Sequence, residues 1–249
     1  HALLPQARCI LHLHPPYATA IASLAAPEIQ PIDQNTARFY NRVAHHVHAR
    51  LDSGATYHQG LVASGCEYHL QRSVIDLQGA QASSSTSGVL FAAGSTLEQQ
   101  VRTTQGAQRT SSRVDTLALA SGTAHIVVNA HCRIDPGADD AEVRQRLTGI
   151  PTDGQPKVVL RPHLEIHHDR VQAAHGATWG ALPEEALFYA AQRGLDEREA
   201  RALIIEGMAS ASLARCLETP GLMAELGVDR LLASTVARHL AGPTEACHG

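Results

Sequence analysis

Sixteen histidines make metal chemistry the first question this sequence raises, because neutral imidazole is the commonest side-chain metal ligand. They are densest between Arg161 and Tyr189, where His163, Glu165, His167, His168, Asp169 and His175 all carry groups able to hold a metal. A second arrangement is His12 and His14, in CILHLH. Side chains two apart on a strand point the same way, so this pair could share one Zn²⁺. Two ligands fall short of a catalytic zinc, which needs three and an open position. Parity thins the later cluster too. Glu165 and His167 share a face with the pattern of a solvated strand. Val171, Ala173 and His175 share a parity, so His175 follows Val171 toward a core or lies where a sheet opens.

The elements that must position these groups change along the chain. Residues 1–44 read as a short α/β segment. It has a strand over Cys9 to His14, stopped by Pro15 and Pro16, and a short helix from Tyr17 to Leu24. A second helix is capped by Asn35, with Phe39 and Val43 facing a core. Residues 45–178 are short β-prone runs closed by turns, with glycines at 54, 65, 79, 88, 94, 106, 122 and 137. Alternation is clearest where Ile126, Val128, Ala130, Cys132 and Ile134 take one face and His125, Asn129, His131 and Arg133 the other. Ser83 to Ser87, Thr103, Thr104, Ser111 and Ser112 can stack in ladders, and aromatic anchors for a sandwich are scarce. This favours a β-solenoid over a sandwich. His58 and His69 are read as outward and Cys66 and Cys132 as buried. Ala138 to Pro156 reads as a polar loop with Arg144 and Arg146 in solvent.

Val158, Leu160, Leu164 and Ile166 continue a strand, and Gly176 and Gly180 break the next one. From residue 179 to 249 the pattern is helical. Pro183 opens one helix, packed by Leu187, Phe188 and Ala191. Asp196 and Glu199 form a capping box for a second helix, with Ala200, Leu203, Ile204, Met208, Ala211 and Leu213 on its apolar stripe. Gly221 to Leu240 forms a third, with Leu222, Leu226, Leu231, Leu232 and Val236 apolar. The expected fold from this pattern is mainly β: a β-solenoid followed by a C-terminal α-helical domain.

A net charge of −4 carries no mark of a nucleic-acid or anionic-membrane binder. No apolar run approaches the ~20 residues of a membrane span. Five scattered cysteines without a CxxC pair fit a reducing, cytoplasmic setting rather than a disulfide framework. The start at His1 rather than Met points to a longer N-terminus.

Two resemblances rest on these residues. CILHLHPPYATAIASL followed by IQPIDQNTARFYNRVA resembles the class II aldolase/adducin family. That resemblance implies zinc ligands at His12 and His14 and, as an alternative function, a zinc-dependent lyase. The acidic ligand upstream and the histidine downstream are missing, so the segment would be an incomplete one joined near Ala44 without a linker. RPHLEI, then DRVQAAHGATWGALPEEALFYAAQRGLDEREARALIIEGMA, resembles the SufB/SufD iron–sulfur cluster assembly family on its SufD side. It implies a right-handed parallel β-helix (solenoid) with a C-terminal α-helical domain, acting as a non-catalytic scaffold subunit paired with a SufB-like paralogue, with a SufC-like ATPase on the C-terminal helices. A homodimer is possible in isolation. A transient Fe–S cluster would be shared with the partner subunit and not held by the isolated chain. His175 matches the family's cluster-assembly histidine, while Ala173 stands where the family has cysteine.

Overall fold

The computed structural model describes residues 42–64, 67–216 and 221–241. His12, His14, Cys9, Cys66, Cys247, Gly65 and the elements expected before residue 42 lie outside them. Ten strands alternate between two five-stranded sheets. One holds β1 (Arg42–Leu51), β3 (Tyr68–Leu77), β5 (Thr96–Gln105), β7 (His125–Ile134) and β9 (Lys157–Ile166), in that order. The other holds β2 (Thr56–Ser64), β4 (Ser83–Ala93), β6 (Ser111–Ser121), β8 (Ala141–Pro151) and β10 (Val171–Trp179). Every pairing is parallel. The chain therefore crosses from sheet to sheet and returns one layer further on, making a β-solenoid of about five turns.

Between the sheets the inward side chains of each coil stack on the next. Ile75, Leu77, Leu90, Leu97, Ile126, Val128 and Leu147 form the centre of this core. Leu, Ile, Val and Ala make up all its buried residues, as suits a chain with 4% aromatics. The tight corners need glycine where layers meet. A Cβ on Gly79 would lie 1.9 Å from the Ser53 amide nitrogen. Gly88, expected at a turn, lies instead inside β4. There its missing side chain leaves room for the buried Gln99 amide, which accepts a hydrogen bond from Thr116 Oγ1 at 2.9 Å.

Four helices follow: α1 (Glu184–Ala191), α2 (Glu197–Ala214), α3 (Leu222–Glu225) and α4 (Val228–Ala241). The capping box at the start of α2 is complete, with Asp196 Oδ1 accepting from the Glu199 amide and Glu199 Oε2 from that of Asp196. The bundle folds back on the outer face of the second sheet. Val89, Phe91, Leu117 and Leu119 meet Ile205, Ala209, Leu213, Leu232 and Val236 there. β4 and β6 are consequently buried on both faces over their second halves, as near-continuous apolar strands require.

Several local expectations are corrected. Val43 lies in β1 rather than in a helix. The stretch from Ala138 to Pro156 contains β8, because Val143 and Leu147 alternate inward with Glu142, Arg144 and Arg146 facing out; the two arginines are exposed as expected. His69 has the parity of Ile75 and Leu77, which face the core, and is half-buried. Gly176 sits within β10 without breaking it. Ile166 shares the inward parity of Leu164 but is 44% exposed at the end of the last coil. On the helices, Ala190 is buried in place of Phe188 and Ala191, and Ile205, Ala209 and Ser212 in place of Leu203 and Ala211. Gly227, at φ +67°, divides the expected third helix, leaving Leu226 and Leu231 exposed. The amphipathic stripes were misplaced because the bundle rests on a sheet, and α2 crosses it on a different face from the one its leucines suggest.

Candidate functional site

The site is the last coil. β10 runs parallel to β8, with Ala173 opposite Val143, His175 opposite Gln145 and Ala177 opposite Leu147. Those three β8 residues are buried, so His175 has inward parity. Among the described residues no strand follows β10 in its sheet, nor β9 in the other. All of β10 past Val171 is therefore exposed, His175 included. Across the mouth, β9 presents Val158, Leu160, Pro162 and Leu164, all half-buried. Trp179 is 54% exposed although its ring lies against Gly149, where a Cβ would come within 3.0 Å. His175 thus sits on an open sheet edge beside an apolar mouth.

Beneath it lies Gln145, a polar residue at an inward position. Its Nε2 donates to the His163 carbonyl at 3.3 Å, while its Oε1 is buried without a hydrogen-bond partner. Sequence reasoning missed Gln145 because its strand was read as a loop. The signal was there, in a polar residue between Val143 and Leu147 at alternating positions.

The other candidates gather elsewhere. His163 stacks on His131 on the outer face of the first sheet, ring centroids 4.8 Å apart. Glu165 bridges His131 Nε2 at 3.5 Å and His167 Nε2 at 2.8 Å. The hydrogen bond from His167 holds the Glu165 carboxyl below its ordinary range. Desolvation, then His163 and Arg102, pushes His131 down. His168 braces a corner, with Nε2 2.7 Å from Asp139 Oδ1 and Nδ1 accepting from the Gly137 amide. Asp169 joins neither group and is exposed.

Neither described cysteine reaches the mouth. Cys132 is buried in the core, where desolvation pushes its thiol up to about 12. Cys216 is buried beneath β4 and donates to the Ser85 carbonyl at 2.9 Å. Among the described residues, no three or more His, Cys, Asp or Glu side chains are grouped to hold a metal ion. Among the described residues no helix is long and apolar enough to cross a membrane.

The class defined by this architecture is a parallel β-solenoid with an open terminal coil and a helical bundle folded on its flank. The chain matches the SUF system FeS cluster assembly, SufBD core domain, over residues 21–208, and it belongs to that family. The match begins inside the stretch assigned above to residues 1–44. The chain is 37% identical over 84 residues to the iron-sulfur cluster assembly protein SufD of Escherichia coli (strain K12), covering 29% of this chain and 20% of that protein. To a SufBD family iron-sulfur cluster assembly protein of Mycobacterium leprae (strain TN) it is 25% identical over 160 residues, 64% of this chain and 18% of that one. To the chloroplastic protein ABCI7 of Arabidopsis thaliana it is 28% identical over 92 residues, 37% of this chain and 19% of that one. The matched stretches thus span a fifth or less of these relatives' own lengths.

Proposed function

We propose that this chain is a non-catalytic scaffold subunit of iron–sulfur cluster assembly, completed at its open coil by a SufB-like paralogue. The observation that carries this reading is His175 exposed on the terminal strand β10, beside an apolar mouth and two unpaired sheet edges. Unpaired strand edges are templates for a further strand, and an exposed apolar patch beside them adds buried area when a partner docks. The nascent cluster is cargo at that interface. His175 offers one imidazole ligand on a rigid strand, and thiolates come from the partner, since this chain has alanine at position 173. Phe188, Tyr189, Leu203, Leu226 and Leu231 are exposed on the helical bundle. Such large apolar side chains in solvent suit the docking of a SufC-like ATPase there.

The test is co-expression with SufB-like and SufC-like subunits, comparing wild type with His175→Ala. Recovery of an intact complex carrying severalfold less iron and sulfide in the variant is expected. Undiminished iron and sulfide would refute the ligand role, and absence of a complex would refute the scaffold reading.

A further inference from the structure

The outer face of the second sheet has two halves. The helices cover the second half, and the first half is polar. Across it runs the ladder His58, Ser85, Arg113, Arg144, one residue from each of β2, β4, β6 and β8 in parallel register. Arg146 lies on the same side of β8 as Arg144, and Arg215 reaches over from the end of α2. A basin of about 750 Å³ lies among these four arginines, its rim reaching β10. A smaller hollow of about 160 Å³ continues it over Ser83, Ser85 and Ser111.

The charges here are unbalanced. Asp115 is taken up by Arg215, at 2.8 and 3.2 Å, and Glu142 by Arg144, at 2.7 Å. Arg113 and Arg146 have no carboxylate partner among the described residues. Arg113 stands directly opposite Arg144 on adjacent strands. Like charges in that relation destabilise a sheet. Ser85 adds an independent sign: it is only 7% exposed, and its hydroxyl is buried without a hydrogen-bond partner in the wall of the smaller hollow. An anion between Arg113 and Arg144 relieves the repulsion and gives that hydroxyl an acceptor.

We infer that this basin is a binding site for a small phosphate-bearing ligand, held by Arg113, Arg144 and Arg146, with the serine-walled hollow extending it beside Arg113 and Arg144. Planar guanidinium forks match phosphoryl oxygens two at a time. The volume lies within the range of small-molecule sites. No Phe, Tyr or Trp lines either hollow, so recognition rests on the oxyanion rather than on a stacked ring. The basin borders the proposed cluster ligand, since Ala173 and His175 line its β10 side, but Arg113, Arg144 and Arg146 lie on the outward parity of their strands and His175 on the inward one.

Titration calorimetry of the full chain with inorganic pyrophosphate at low salt tests this. Saturable binding that weakens as chloride rises is expected. Arg113→Gln weakens it about tenfold or more, consistent with one charge-assisted contact, while the ligand-free variant melts no lower than wild type because a like-charge pair is gone. Ser85→Ala weakens binding without lowering the melting temperature. Arg170→Gln, at a corner where Arg170 pairs with Asp140, leaves binding unchanged. Absence of saturable binding, or wild-type affinity in Arg113→Gln, overturns the proposal. So does a glutamate-rich peptide that binds more tightly than pyrophosphate and is equally sensitive to Arg113→Gln, which would make the face a protein-docking surface.

Discussion

Among the contacts that tie the helical bundle to the solenoid is a buried carboxylate, and removing its cation should loosen that tie. Asp115 on β6 has a side chain only 8% exposed. It accepts from Arg215 Nε at 2.8 Å, from an Arg215 terminal nitrogen at 3.2 Å and from Ser212 Oγ at 3.0 Å. Arg215→Ala leaves a buried charge with one of three hydrogen bonds. Breaking a fully buried pair costs about 3–5 kcal/mol. Arg215 is itself 42% exposed, so water can enter the vacated space and the expected cost falls to about 2–3 kcal/mol. For a chain of this size that lowers Tm by roughly 4–12 °C. Urea denaturation at pH 7, with a double-mutant cycle through Asp115→Asn, is the assay. With the carboxylate neutralised, Arg215→Ala should cost under about 1 kcal/mol, because nothing charged remains to be stranded. Hydrogen exchange should speed up in the last turns of α2. A loss below about 0.5 kcal/mol in the single variant, or an equal loss in the Asp115→Asn background, would refute the reasoning.

His239 should make stability pH-dependent. It is 6% exposed, edge-on to Phe91 at 5.6 Å, and burial followed by Arg201 pushes its imidazole down to about 4. Thr152 Oγ1 donates to the Ala120 carbonyl and so accepts from His239 Nε2 at 2.7 Å, while the buried Nδ1 has no hydrogen-bond partner to receive a second proton. The unfolded chain binds this proton near pH 6.5 and the folded chain only near 4, so its contribution is present at pH 7 and lost as pH falls between those values, by up to about 3 kcal/mol. His239→Gln should flatten the dependence of the urea midpoint between pH 6.5 and 4; an unchanged slope would argue against the buried neutral ring. Cys132, buried and with a thiol pushed up to about 12, should resist iodoacetamide in the native chain and react only in denaturant. Native labelling located at Cys132 by peptide mass spectrometry would contradict its burial.

What could be read from the sequence was whatever rests on neighbours along the chain. The capping box at Asp196, the alternation from Ile126 to Ile134 and the change from strands to helices near residue 179 all depend on local spacing, and all are present. What was hidden depends on neighbours across coils. Arg42 pairs with Tyr68, Tyr68 with Thr96, Thr96 with His125 and His125 with Lys157. The interval grows at each step, so no constant repeat exists to be found. β8 passed for a loop because a solenoid strand needs apolar side chains on one face only, and Gln145 interrupts even that face. His175 could be located by parity but not judged by it. The same alternation that buries Gln145 leaves His175 in solvent, because no described strand stacks on β10. Among the described residues, inward parity on this coil has no core to enter. Alternation along the chain fixes the side on which His175 lies, whereas its surroundings depend on whatever stacks on the coil and not on the residues beside it in the sequence.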